Sequence, residues 1–123
     1  MAAGPIVLVV EDELLVREMI AEELRDAGFG VLEAGDGESA AGILNGKDRI
    51  DLLFTDIRLP GALDGWEIAR LGRRARAALP VIYATGYTVD RAAEVEGSIF
   101  LNKPYLPSQI VATIRRLLGS SPR

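Results

Sequence analysis

Four short hydrophobic runs along the chain each end in a polar side chain able to do chemistry. Ile6-Val7-Leu8-Val9-Val10 stops at Glu11-Asp12-Glu13, and Leu52-Leu53-Phe54 leads through Thr55 to Asp56. Val81-Ile82-Tyr83-Ala84 runs into Thr85, and Ile99-Phe100-Leu101 passes Asn102 to reach Lys103-Pro104. The runs are rich in β-branched and aromatic residues and almost free of charge, which is the pattern of strands buried on both faces in a parallel sheet. Gly30-Val31-Leu32-Glu33-Ala34 reads as a further strand. Between the runs the apolar spacing becomes helical. Leu14, Leu15, Met19, Ile20 and Leu24 make one apolar face, stopped by Gly28, and Glu38 to Leu44 makes a short helix. Asp64 is placed to cap a helix that runs toward Leu79, ahead of Pro80. A last helix, from about Pro107 to Leu118, carries Ile110, Val111, Ile114, Leu117 and Leu118. Alternating strands and helices predict an α/β layer fold.

In parallel sheets of this kind, function sits at the carboxyl ends of the strands, where the chain order reverses. Four strand ends would gather three acids, a hydroxyl and a lysine into one pocket. Glu11 and Asp12 suit a hard divalent cation, which takes oxygen ligands, usually one or two carboxylates with waters and substrate phosphate. Asp56, alone at its strand end, is placed as a third carboxylate and as a nucleophile, since carboxylates form aspartyl-phosphate intermediates. Lys103 offers a compact positive charge for phosphoryl oxygens, and the Thr85 hydroxyl can donate to another. The set suits acceptance of a phosphoryl group, with cation and lysine neutralising its oxygens.

Each member has a plainer reading when taken alone. Acids at 11–13 are also favoured at any helix start, where Glu13 is expected to face solvent. Asp56 and Thr85-Gly86 could be turn residues, and most lysines lie on the surface. The joint, ordered arrival of all four is what favours one pocket.

Composition narrows the options. The chain has 123 residues, enough for one domain with a single core. With 49% apolar and 26% charged residues and a net charge of −4, it reads as globular, and its acidity disfavours sequence-independent nucleic-acid binding. No run approaches membrane-spanning length, so no membrane insertion is expected. With no cysteine there is no disulfide framework, which fits the cytoplasm. Histidine is also absent, so any phosphohistidine donor must be another molecule.

The pieces VLVVEDE at 7–13, LLFTDIRLPGALDGWE at 52–67, YATGY at 83–87 and FLNKPY at 100–105 resemble, in order, the receiver domain of two-component response regulators. The YATGY piece and the longer loop from Leu59 to Gly65 resemble a branch with Phe-Ala-Thr-Gly-Tyr at this place, common among stand-alone regulators and hybrid kinases. The resemblance implies a three-layer (βα)5, flavodoxin-like receiver fold with a five-stranded parallel sheet in the order 2-1-3-4-5. It implies one receiver domain over 1–123, with its core at about 5–119 and no effector domain. Asp56 matches the phosphoacceptor. Glu11, Asp12, Asp56 and the main-chain carbonyl of Arg58 match the site for Mg2+, with Mn2+ as an alternative. Thr85 and Lys103 match the phosphoryl-binding switch residues, and Phe100 matches the rotating aromatic, here without a hydroxyl. Lys103-Pro104 matches a peptide bond that is usually cis. Arg58 and Tyr87 flank the pocket and are expected to tune hydrolysis of the acyl phosphate.

The implied activity is Mg2+-dependent transfer from a partner phosphohistidine, on a histidine kinase or histidine phosphotransfer protein, to Asp56. This is a signalling phosphoacceptor rather than a conventional enzyme, acting on an unidentified downstream protein target as a monomer or weak dimer. Thr85 and Lys103 lie closer in sequence than receivers generally show, and Thr88 to Ser98 is small and polar. The fourth helix is therefore expected to be short, irregular or mobile. Trp66 is expected to pack near the third helix start, while Tyr105 fits either core or partner contact. The rival readings are a phosphorylation-independent interaction module and a receiver excised from a hybrid histidine kinase. A flavodoxin-type cofactor site is disfavoured because Glu11-Asp12-Glu13 would repel a phosphate, and a haloacid-dehalogenase-type phosphatase because position 58 is Arg.

Overall fold

A computed structural model describes residues 4–86 and 93–119. In chain order the elements are β1 (Ile6–Val10), α1 (Leu14–Asp26), β2 (Gly30–Ala34), α2 (Gly37–Leu44), β3 (Leu52–Asp56), α3 (Gly65–Ala75), β4 (Val81–Thr85), β5 (Ile99–Asn102) and α4 (Pro107–Leu117). The strands form one parallel sheet in the order β2-β1-β3-β4-β5. The chain leaves β1 for β2 on one side and then crosses to β3 on the other. The carboxyl ends of β1 and β3 therefore flank the point where the order reverses, the usual seat of a ligand in such sheets.

Alternation along the strands divides the core into two layers. Leu8, Val10, Leu53, Val81 and Tyr83 face α2 and α3, where Ala40, Leu44, Ile68 and Ala69 meet them. Val7, Val9, Leu52, Phe54, Ile82 and Ala84 face α1 and α4, meeting Ile20, Leu24, Ile110, Val111 and Ile114. The central strands β3 and β4 are buried throughout, as their unbroken apolar runs predict.

The sequence expectations fail in three places. Ile99-Phe100-Leu101 reads as a strand buried on both faces, but β5 is the sheet edge and all three residues are only half-buried. On α1 the stripe that reaches the sheet runs through Val16, Ile20 and Leu24. Leu15 and Met19, four residues apart, form a separate line beside it. With Leu14 they stay more than half exposed, at 78%, 53% and 53% respectively. The helix opened by Asp64 stops at Ala75 rather than near Leu79, because Arg76 adopts extended backbone. There its guanidinium donates to the carbonyls of Leu44 and Asp48, at 2.7 and 2.8 Å, tying α3 to the end of α2. Four α-helices are present among the described residues and 94–98 carry no helix, which agrees with the expectation of a short or irregular fourth helix. The first part of the stretch expected to hold it, 88–92, lies outside them.

The start of α3 follows its sequence signal. Asp64 accepts from the Glu67 N–H at 3.0 Å, and Glu67 accepts from the Asp64 N–H at 2.9 Å, a reciprocal capping box. Gly65, the first residue of the helix, lies against the main chain of Asp56 and Ile57 so closely that a Cβ would collide with it. The Gly65 N–H donates to the Ile57 carbonyl at 2.8 Å, which fixes the turn that follows Asp56.

Candidate functional site

The site is assembled from the ends of β1, β3, β4 and β5. Sheet bonding continues one residue past β1, where the Glu11 N–H donates to the Ala34 carbonyl at 3.1 Å. Glu11 is almost fully buried, and its Oε2 accepts from the Glu13 N–H at 3.0 Å, closing the turn into α1. Asp12 is exposed beside it. Asp56 is the last residue of β3 and only 4% exposed. Thr85 ends β4 and is buried; its carbonyl accepts from the Lys103 N–H at 2.8 Å. That bond sets the start of the loop beyond β5, and the Lys103-Pro104 peptide there is cis.

The Lys103 ammonium lies 3.1 Å from Asp56 Oδ1 and 3.9 Å from Glu11 Oε1. It stays 40% exposed, so it reaches two buried carboxylates from the solvent side. Apart from these ion-pair approaches, Glu11 Oε1 and Asp56 Oδ1 receive no hydrogen bond among the described residues. Leaving a buried acceptor unmade costs on the order of 1–3 kcal/mol, more for a charge. Burial lifts the Glu11 carboxyl from 4.5 to about 7, opposed by the Glu13 N–H and reinforced by Asp56. Burial also raises Asp56, against the pull of Glu11 and Lys103. Burial lowers Lys103, but Asp56, then Glu11 and Glu13, outweigh it and hold the ammonium above its ordinary value. Near neutral pH the pair Glu11–Asp56 therefore tends to keep a proton.

These acids fit a hard divalent cation. One carboxylate oxygen from each of Glu11, Asp12 and Asp56 lies within 4.8 Å of the others. Two of the three acids supply buried oxygens that, among the described residues, have no hydrogen-bond partner beyond the Lys103 ion pair. All-oxygen donors of this kind are what Mg2+ takes.

A cleft of about 40 Å³ opens over Asp56, lined also by Arg58, Ala84, Thr85, Gly86 and Lys103. It is far smaller than the roughly 300 Å³ at which organic-ligand pockets begin, which disfavours a flavin-sized occupant. Six of the sequence-predicted residues thus come together: Glu11, Asp12, Asp56, Arg58, Thr85 and Lys103. Phe100 stands apart from the cleft lining. Its ring packs 5.1 Å from Tyr83 and 5.9 Å from Trp66, in an aromatic cluster on the α3 side. Trp66 packs there at the start of α3 as expected. Tyr87 lies outside the described residues. Glu13 is exposed, as a helix-start acid should be.

Tyr105 resolves toward the core: its ring sits edge-on to Phe54 at 6.0 Å. Its hydroxyl is buried without a hydrogen-bond partner among the described residues, and burial, then Asp56 and Glu11, raise its pKa. The sequence reading missed Arg17, whose Nη1 donates to the Glu11 carbonyl at 2.9 Å. The available signal was an arginine one turn into the helix that follows the acidic pair.

Comparison with known proteins agrees with this geometry. A family model described as the response regulator receiver domain matches residues 7–115. The alkaline phosphatase synthesis transcriptional regulatory protein SphR of Synechococcus elongatus is 34% identical over 134 residues, covering 98% of this chain and 52% of that protein. The chain spans about half the length of the curated relatives it matches. Among solved structures, a response regulator receiver protein from Sinorhizobium medicae superposes with a TM-score of 0.89 at 30% identity, covering 95% of this chain and 96% of that one. The receiver domain of the sensor histidine kinase PA1611 from Pseudomonas aeruginosa, solved with magnesium in its active site cleft, gives 0.83 at 27% identity, covering 96% and 100%.

Proposed function

This chain belongs to the response regulator receiver family, phosphoacceptors of two-component signalling, and on that premise we propose that Asp56 is its phosphoacceptor. The observation that carries the assignment is one contact. The ammonium of Lys103 stands 3.1 Å from a buried Asp56 oxygen that has no other hydrogen-bond donor among the described residues, inside a triad of acids.

An Asp56 carboxylate oxygen attacks the phosphorus of a phosphohistidine on a partner protein. As the new P–O bond forms, the P–N bond breaks and its electron pair returns to the donor imidazole, leaving an acyl phosphate. Lys103 places its positive charge, and Thr85 its hydroxyl, against phosphoryl oxygens as charge builds on them. Glu11, Asp12, Asp56 and the main-chain carbonyl of Arg58 would hold Mg2+, or Mn2+ in its place. When bound, the cation neutralises the carboxylates and the incoming phosphoryl oxygens. Without it, burial holds Glu11 partly protonated and Asp56 is a poorer nucleophile.

The donor is a histidine kinase or histidine phosphotransfer protein in the cytoplasm. The new charge on Asp56 biases the segment after Thr85, with β5 and α4, toward a state that a downstream protein recognises. Arg58, exposed on the cleft wall, governs water access to the acyl phosphate. Incubation with acetyl phosphate followed by intact-protein mass tests the reading. One phosphoryl adduct is expected with Mg2+ and none without it or in Asp56→Asn; an adduct that survives Asp56→Asn would refute it.

A further inference from the structure

Glu11 is held on three sides. Its N–H donates to Ala34, its Oε2 accepts from Glu13, and its carbonyl accepts from Arg17 Nη1 at 2.9 Å. Only Oε1 is left to face Asp56 and Lys103. The third restraint differs from the other two because it comes from a side chain and so depends on where a guanidinium can lie. Arg17 is only 17% exposed, and its Nε donates to Glu33 Oε1 on β2 at 3.2 Å. Between those two anchors it crosses Gly35, where a Cβ would stand 2.9 Å from Nη1. The residue after β2 is thus a glycine whose missing side chain is the space the guanidinium occupies.

The carbonyl bonded by Arg17 belongs to the peptide that joins Glu11 to Asp12. Holding that oxygen fixes the plane of the peptide, and with it the relative direction of the two acids on either side. Groups that orient ligands without touching the ion shift metal affinity by about 10–100-fold. We propose that Arg17, seated in a slot kept open by Gly35, is a positioning residue for the divalent cation held by Glu11, Asp12 and Asp56; the inference rests on that reading of the acids.

Charge alone would act in the opposite direction. An arginine near a cation site repels the ion, so removing Arg17 by itself would tighten binding through electrostatics while loosening it through geometry. Two variants separate these effects. Gly35→Ala keeps every charge and pushes only the flexible end of Arg17 off the Glu11 carbonyl. The double variant Arg17→Gln with Glu33→Gln removes one charge of each sign, leaving the net charge unchanged.

The experiment is calorimetric titration of wild type and both variants with Mg2+ alone, alongside metal-free thermal melts. The expected result is a Kd raised about tenfold in both variants. In Gly35→Ala the metal-free melting temperature stays close to wild type, a pattern that a purely structural role would not give. Mg2+ affinity within about twofold of wild type in both variants would overturn the inference while leaving the acidic site intact. If wild type itself took up no Mg2+, the reading of the acids would fall, and this inference with it.

Discussion

One strand carries an aspartate just before its start and another at its end, and the two have opposite fates. Asp51 precedes β3 at the amino edge of the sheet, where its Oδ2 accepts from the Ile6 N–H at 2.8 Å and pairs with Arg49 at 3.0 Å. It is part-exposed and ties β1 to β3. Asp56 ends the same strand at the carboxyl edge, buried, with one oxygen that meets only the Lys103 ammonium at 3.1 Å among the described residues and a pKa raised by burial. The first aspartate is used up in holding the fold. The second is held by the fold in a condition that water would relieve, which is what keeps it available to a cation and a phosphoryl group. Identical side chains five residues apart therefore divide stability from function by the partners each is given.

Exchanging the two carboxylates for amides breaks the comparison most sharply. Asp56→Asn should abolish phosphorylation completely, yet raise metal-free stability at neutral pH by about 1 kcal/mol, because a desolvated charge is removed. Asp51→Asn should keep phosphorylation and lose about 1–2 kcal/mol, the worth of a charge-assisted bond to the Ile6 N–H. Intact mass and urea unfolding of the two variants check both halves.

The next effect concerns Glu11, the other buried acid at the carboxyl edge. Its folded pKa, about 7, exceeds its ordinary 4.5, so the folded state holds the proton more tightly than the unfolded chain does. Stability from this group is complete below the unfolded value and is lost as pH rises through the folded one. Metal-free protein should therefore lose on the order of 2 kcal/mol between pH 4.5 and 7. Glu11→Gln should flatten the profile, and saturating Mg2+ should restore most of the loss by mass action. Urea midpoints across that window, with and without Mg2+, provide the measurement.

The smallest effect compares two tyrosines. The Tyr83 hydroxyl accepts from the Val95 N–H at 3.1 Å, whereas the buried Tyr105 hydroxyl has no partner among the described residues. Tyr83→Phe should cost about 1 kcal/mol by stranding that N–H, and Tyr105→Phe should be neutral or stabilising. Chemical denaturation of the two variants distinguishes them.

Much of this was legible from the chain because the strands carry their own endings. The unbroken runs before Thr55-Asp56 and Thr85 are buried on both faces, and the polar residue that stops each run lands in the site. The capping box at Asp64 and Glu67 was half visible, through the Asp alone. What the sequence hid was context. The strand order implied by the resemblance puts Ile99-Phe100-Leu101 at the sheet edge, but nothing within the run itself shows that its faces are only half covered. Leu14, Leu15 and Met19 are as apolar as Ile20 and Leu24, and only the position of the helix over the sheet separates them. Phe100, matched to the rotating aromatic, packs its ring with Tyr83 and Trp66, a grouping across three elements that no local pattern encodes. Arg17 and Gly35 meet only in the folded chain, and so does the rank order of acidities, which depends on which oxygens burial leaves without donors.

The central claim, that the phosphoryl group rests on Asp56, is tested most directly by reducing the acyl phosphate with borohydride after treatment with acetyl phosphate and Mg2+. Hydride converts an aspartyl phosphate to homoserine, and peptide mass analysis then locates it. The account predicts homoserine at position 56 alone, in amounts that fall when Mg2+ is withheld. Homoserine at Asp12, or at any other aspartate with position 56 unchanged, would contradict it.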